Sequence, residues 1–173
     1  MLLRAEHVML PEQEKAALDH LQHALCVRQY LPQGIPQGKG RIWIPSCHCY
    51  AHAYGKVFGL RVVDGEIAYL KGSQLISATW WREEQIALRW GFIKHSWIEI
   101  DASGRIFILD VFPEAACGIL PLLLPYPHPA YYVPDDSKHK GAIQSKLDQD
   151  EFKLEVECLA KMIEKIAHDR KLI

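Results

Sequence analysis

Long apolar runs are missing from this chain of 173 residues, and so is a charge of one sign, since the net charge is −1. A membrane-crossing helix needs about 20 consecutive apolar residues, and no stretch supplies them. A charge balance this close sets up no global field toward nucleic acid or an anionic bilayer. Cysteine is sparse and odd in number, with 5 in the chain, at positions 26, 47, 49, 117 and 158. Scattered odd cysteines argue against a disulfide framework and fit a reducing compartment. The first residues, Met1 to His7, carry charge early and lack the apolar core of a secretory leader. These absences predict a cytoplasmic protein with neither a nucleic-acid nor a membrane partner. No acidic loop has calcium-ligand spacing, no repeat is visible, and no cofactor is implied.

What remains is an ordinary globular composition, 49% apolar and 24% charged. At this length it predicts a single domain over 1–173 with a proper core. Pro11-Glu12-Gln13-Glu14 predicts the start of a helix over about 11–30, with Ala17, Leu18, Leu21, Ala24, Leu25 and Val27 as its apolar stripe. Asp19, His20 and His23 lie off that stripe and read as a solvated face. Residues 32–40, rich in proline and glycine, read as a loop. Near the other end, Phe152, Val156, Leu159, Ile163 and Ile166 step by fours and threes, which predicts an amphipathic helix over about 148–170, capped near Asp148 or Asp150. Its stripe closes the core or offers a seam for self-association, and the first fits better. The oligomeric state is left open.

The prolines between 113 and 134 forbid a helix or a central strand there and predict extended chain covering apolar surface. Residues 75–92 hold Trp80, Trp81 and Trp90. They read either as a strand with a short helix or as one continuous helix.

The stretch that carries chemistry begins at Pro45-Ser46-Cys47. Ser46 is a good helix N-cap and Gly59 a good stop. Tyr50, Ala51, Tyr54, Val57 and Phe58 recur at helical spacing between them. Cys47 then falls in the first turn, where free N–H groups and the positive end of the helix dipole favour a thiolate. Its own backbone N–H is a natural oxyanion donor. Cys49 is the alternative nucleophile. It would share a face with His52, Ala53 and Lys56, whereas Cys47 shares one with Tyr50, Ala51 and Tyr54.

Leu60 to Leu70 has a strand pattern with a break near Asp64-Gly65. Further on, His95 to Ile100 alternates, Asp101-Ala102-Ser103-Gly104 reads as a turn, and Arg105 to Val111 reads as the return strand. His95 would open the first strand and Asp110 would end the second, nearly opposite. A carboxylate there bonds one imidazole nitrogen and leaves the other for a thiol. Glu99, on the face of His95, is the reserve carboxylate.

Four pieces therefore follow one another: Cys47-His48-Cys49-Tyr50-Ala51, Gly59 to Gly65, His95-Ser96-Trp97 and Ile108-Leu109-Asp110. In this order the chain resembles the transglutaminase-like branch of the papain-like cysteine enzymes, over about residues 44–113. The resemblance implies an α+β fold with a papain-like core, spanning about 41–113, in which a helix bearing Cys47 packs on an antiparallel sheet bearing His95 and Asp110. It implies a substrate cleft walled by Trp97, beside the imidazole, with Trp43 just ahead of the cysteine helix. It also suggests an upstream amide as oxyanion donor, for which Gln37 is nearest.

The expected chemistry is acyl transfer through a Cys47–His95–Asp110 triad, on a peptide or on a protein side-chain or acyl group. Peptidase, deamidase and transglutaminase-like reactions all fit. One alternative is a non-catalytic protein-binding module on the same fold. Another is a metal site built from Cys47, His48, Cys49 and His52, although Cys-x-Cys is tight for zinc and no second ligand cluster accompanies it. No metal is expected.

Overall fold

A computed structural model describes residues 12–32, 34–36, 41–70, 90–102, 104–112, 121–125, 132–134 and 148–173. Gln37, Trp80 and Trp81 lie outside these residues.

The architecture is mixed α+β. Helix α1 spans Glu12–Tyr30. A short pair follows, β1 (Ile35–Pro36) and β2 (Ile42–Trp43), with Ile35 opposite Trp43. The stretch expected as plain loop thus contributes a strand, and Ile35 and Trp43 each pack against the main core. Helix α2 is Cys47–Phe58, and β3 is Arg61–Leu70. Then come β4 (Trp90–Ala102), β5 (Arg105–Asp110), β6 (Leu122–Pro125), β7 (Tyr132–Pro134) and α3 (Asp150–Asp169).

The last five strands form one antiparallel sheet in the order β6-β5-β4-β3-β7. Proline lacks an N–H and tends to the edges of sheets. Both pieces of the proline-studded segment, β6 and β7, are indeed the edge strands. Strand β3 runs unbroken through Asp64 and Gly65, each paired across to β4, so the expected break is absent. Strand β4 begins at Trp90, not at His95, because it continues to pair with β3 as far as Leu70. Strand β4 ends at Ala102, which pairs with Arg105 at the start of β5. Gly104 takes φ +87°, and its N–H donates to Asp101 Oδ1 at 2.7 Å.

Side chains repeat every second residue along a strand. Ile98, Ile100, Ala102, Phe107 and Leu109 join the core shared with the helices, while Trp97, Ile108 and Val63 cluster apart from it with Leu124. From α1 the core receives Ala17, Ala24, Val27 and Leu31. Leu25 points away and is 37% exposed, since the buried face is narrower than the expected stripe. His20 and His23 are not a solvated face either. They pack with Phe58 of α2, and the His23 ring stacks on Phe58 at 5.6 Å.

Helix α3 buries Phe152, Leu159, Ala160, Ile163 and Ala167 and packs along α2, so its stripe closes the core. Its N-cap is Gln149, which makes no side-chain cap bond, rather than either expected aspartate.

Helix α2 is held on several sides. Ser46 takes extended φ and ψ, and its hydroxyl accepts from Cys49 N–H at 3.3 Å. Gly59 ends the helix at φ +66°, where a side chain would be strained. Gly55 lets α2 approach β3 closely. A Cβ there would collide with the Val62 side chain and come within 3.0 Å of Leu60 O.

Gly55→Ala therefore tests this close approach. Overpacking costs about 1–3 kcal/mol, against which better helix propensity returns about 1 kcal/mol. The expected outcome is a lowered thermal midpoint by circular dichroism. An unchanged midpoint would mean that β3 yields at a cost no larger than the helix-propensity gain, and a raised one that it yields without cost.

Candidate active site

Strand register brings the histidine and the aspartate together. Ile98 lies opposite Leu109, which sets Asp110 beside Trp97 and diagonal to His95, within side-chain reach. His95 Nε2 and Asp110 Oδ2 are 2.8 Å apart, and both side chains are fully buried. The other carboxylate oxygen, Oδ1, accepts the Phe112 N–H at 3.0 Å. The backbone just past β5 thus orients the carboxylate that orients the ring. A carboxylate only accepts, so Nε2 carries the proton and the lone pair of the neutral ring lies on Nδ1.

Cys47 stands beside that ring. His95 Nδ1 has no hydrogen-bond partner of good geometry, yet the thiol and the imidazole are close enough to shift each other's proton affinity. Long or poorly aligned contacts of this kind are common in sites without substrate. Burial pushes the Cys47 thiol up. The imidazoles of His48 and His95 more than offset this and bring it to about 6. Burial alone would depress His95. The Asp110 carboxylate reverses that, Cys47 adds to it, and the ring is held well above the ordinary imidazole range. The two shifts favour a thiolate–imidazolium pair near neutral pH.

The first-turn N–H groups of a helix lack intrahelical acceptors. Ser46 Oγ takes that of Cys49, and those of Cys47 and His48 remain at the helix end. Cys49 itself is fully buried among core side chains, whereas Cys47 is half-buried. Burial is uneven along the helix face that Cys49 shares with His52, Ala53 and Lys56. Ala53 is fully buried with it, while His52 and Lys56 are not. Helix α2 is covered widely enough that its buried face reaches past Tyr50, Ala51 and Tyr54.

Trp97 is fully buried and packs with Val63 and Ile108. It supports the sheet beneath the histidine and has no open surface with which to wall a cleft. Trp43 is half-buried against the main core. Glu99, the reserve carboxylate, instead pairs with Arg61 at 3.0 Å.

One part of the site goes beyond what residue spacing predicts. His48 Nδ1 lies 2.6 Å from Ser96 Oγ. The Ser96 hydroxyl donates to Asp64 Oδ1. The same oxygen meets His52 Nε2 at 3.0 Å. The only signals were adjacency, His48 next to Cys47 and Ser96 next to His95. Asp64 stood inside an expected strand break.

Of the side chains in the metal alternative, His52 turns to Asp64 and Cys49 turns into the core, while His48 bonds Ser96 through Nδ1 and also acts on the Cys47 thiol. Among the described residues no three His, Cys, Asp or Glu side chains gather as a metal site. Among them, too, no helix is long and apolar enough to cross a membrane. The four described cysteines form no disulfide with one another.

Asp110→Asn removes the charge that holds the His95 proton. The alkylation midpoint of Cys47, followed by peptide mass spectrometry against pH, should rise from about 6 toward the ordinary thiol value of ~8.5. In the unaltered protein the sign is fixed by the thiol: below its depressed pKa it is protonated and labelling falls, and above it the thiolate labels fast.

Comparison with protein-family models, with curated proteins and with solved structures found no match.

Proposed function

We propose that this protein is a cysteine-dependent acyl-transfer enzyme on a papain-like, transglutaminase-like core, with Cys47 as nucleophile, His95 as base and acid, and Asp110 as the group that orients His95. The observation that carries the reading is the fully buried His95–Asp110 hydrogen bond at 2.8 Å beside a thiol at a helix N-terminus. Placing two ionisable side chains in the interior costs several kcal/mol each unless they are well paired. A histidine held for stability alone needs no thiol at its free nitrogen.

The chemistry follows from the proton positions. The Cys47 thiolate adds to a carbonyl carbon, and the developing oxyanion meets N–H groups at the start of α2. As the tetrahedral adduct collapses, the bond to the leaving group breaks and Nδ1 of the His95 imidazolium gives that group its proton. An acyl-thioester remains on Cys47. Neutral His95 then draws a proton from water or from an acceptor amine, which attacks the thioester and releases the acid or the new amide, and the thiolate is restored. The Asp110 carboxylate, bonded to Nε2, steadies the imidazolium. Peptides and protein side-chain amides are the substrate classes that fit, and the reaction takes place without a cofactor.

The test is an activated ester such as p-nitrophenyl acetate, read by intact-mass and peptide mass spectrometry. The expected result is a burst of nitrophenol with a single acetyl group on Cys47, which then turns over. Cys47→Ser and His95→Ala should each abolish the burst. Acetylation at Cys49 instead would move the nucleophile. Slow, equal labelling of all cysteines would leave a binding module as the better reading.

A further inference from the structure

His48 is nearly buried, at 8% exposed, and its bond to Ser96 is short, at 2.6 Å. Hydrogen-bond direction sets its tautomer. Asp64 is held ionised: burial would raise its carboxyl, but His52 and Ser96 lower it further. An ionised carboxylate only accepts, so the Ser96 hydroxyl spends its one proton on Asp64. Ser96 Oγ must then accept from His48, and His48 carries its proton on Nδ1. The neutral ring keeps its lone pair on Nε2, free for a proton from a neighbouring group. That neighbour is Cys47, on which the His48 imidazole also acts. The relay Asp64–Ser96–His48 therefore repeats, through one hydroxyl, what Asp110–His95 does directly.

We propose that His48 is a second positioning residue of the same thiol, locked in its tautomer by Ser96 and Asp64, so that Cys47 is served by two carboxylate-linked imidazoles. This rests on the reading of Cys47 as nucleophile. The two relays divide the work. His95 lies at the end of a sealed pair and handles the substrate proton. His48, once its Nε2 takes up a proton, holds the thiolate by donating to it, and its relay ends at His52 and Asp64, which line a cleft of about 430 Å³ with Asp148, Phe152, Lys153, Val156 and Glu157. The titratable groups around His48 are Cys47 and His52 on α2, Asp64 on β3 and, across the thiol, His95 on β4. Lys153 and Glu157 of α3 lie beyond His52 at the cleft.

The experiment is the pH profile of iodoacetamide alkylation at Cys47 in the full-length protein, for Ser96→Ala, His48→Asn and His95→Ala. An asparagine amide can still donate to Ser96 where Nδ1 did, so a merely structural role survives in His48→Asn while the titrating ring is lost. Near-UV circular dichroism verifies folding, and Ser96→Ala removes one small buried hydroxyl should the histidine variant fail to fold. The expected result is a higher Cys47 midpoint in both. A midpoint raised by about one pH unit slows labelling on the acid limb of the profile about tenfold. If His95→Ala shifts the profile and the other two do not, the role of His48 is overturned while the triad stands. If His48→Asn and Ser96→Ala shift it and His95→Ala does not, the role of His48 stands and the triad falls. If none shifts it, both fall.

Discussion

The buried hydrogen bond between His95 and Asp110 is the constraint on which the rest of the site depends. A histidine and an aspartate at zero exposure survive in a protein interior only as partners, because either one left alone strands a charge or an unpaired polar group at a cost of about 3–5 kcal/mol. Their pairing requires β4 and β5 to hold one register. It requires β5 to stop at Asp110 so that the Phe112 N–H can turn back onto the carboxylate. Trp97 and Ile108, both fully buried, alternate onto the same sheet face as His95 and Asp110. Trp97, two residues along β4 from His95 on that face, keeps the local dielectric low.

The thiol depends on a second set of constraints, those that fix the start of α2. Ser46 and Gly59 set its two ends, and Gly55 sets its distance from β3. The helix end then delivers Cys47 to His95 and, one residue later, His48 to Ser96. Two adjacent residues of one helix are thus engaged by two adjacent residues of one strand. Because side chains alternate across a sheet, His95 and Ser96 leave β4 in opposite directions, yet the imidazoles of His48 and His95 both act on the thiol. Burial alone would make Cys47 a poor nucleophile. The imidazoles reverse the sign of that effect, which is why a half-buried thiol titrates near 6 rather than above its ordinary value.

Much of the frame was legible in the sequence. Both long helices announce themselves by apolar spacing, and α2 by its two caps. The hairpin of β4 and β5 follows from alternation and a glycine turn, and the prolines sent their segment to the sheet edges. Local chemistry sets these features within a few residues, so one chain segment carries the whole signal. The pairing of His95 with Asp110 was legible for the same reason, since a hairpin links positions close in sequence.

What only the tertiary structure decided depends on segments far apart in the chain. The length of β4 was set by β3 across the sheet, beyond the reach of local alternation. The burial of Trp97, the pairing of Glu99 with Arg61, and the packing of His20 and His23 on Phe58 each needed a partner from another element. The relay through His48, Ser96, Asp64 and His52 draws on α2, β3 and β4 at once. Residue type and spacing say what a side chain can do. Only the assembled fold says which donor meets which acceptor, because hydrogen bonds reach about 3 Å and sequence carries no distances at that scale between distant segments.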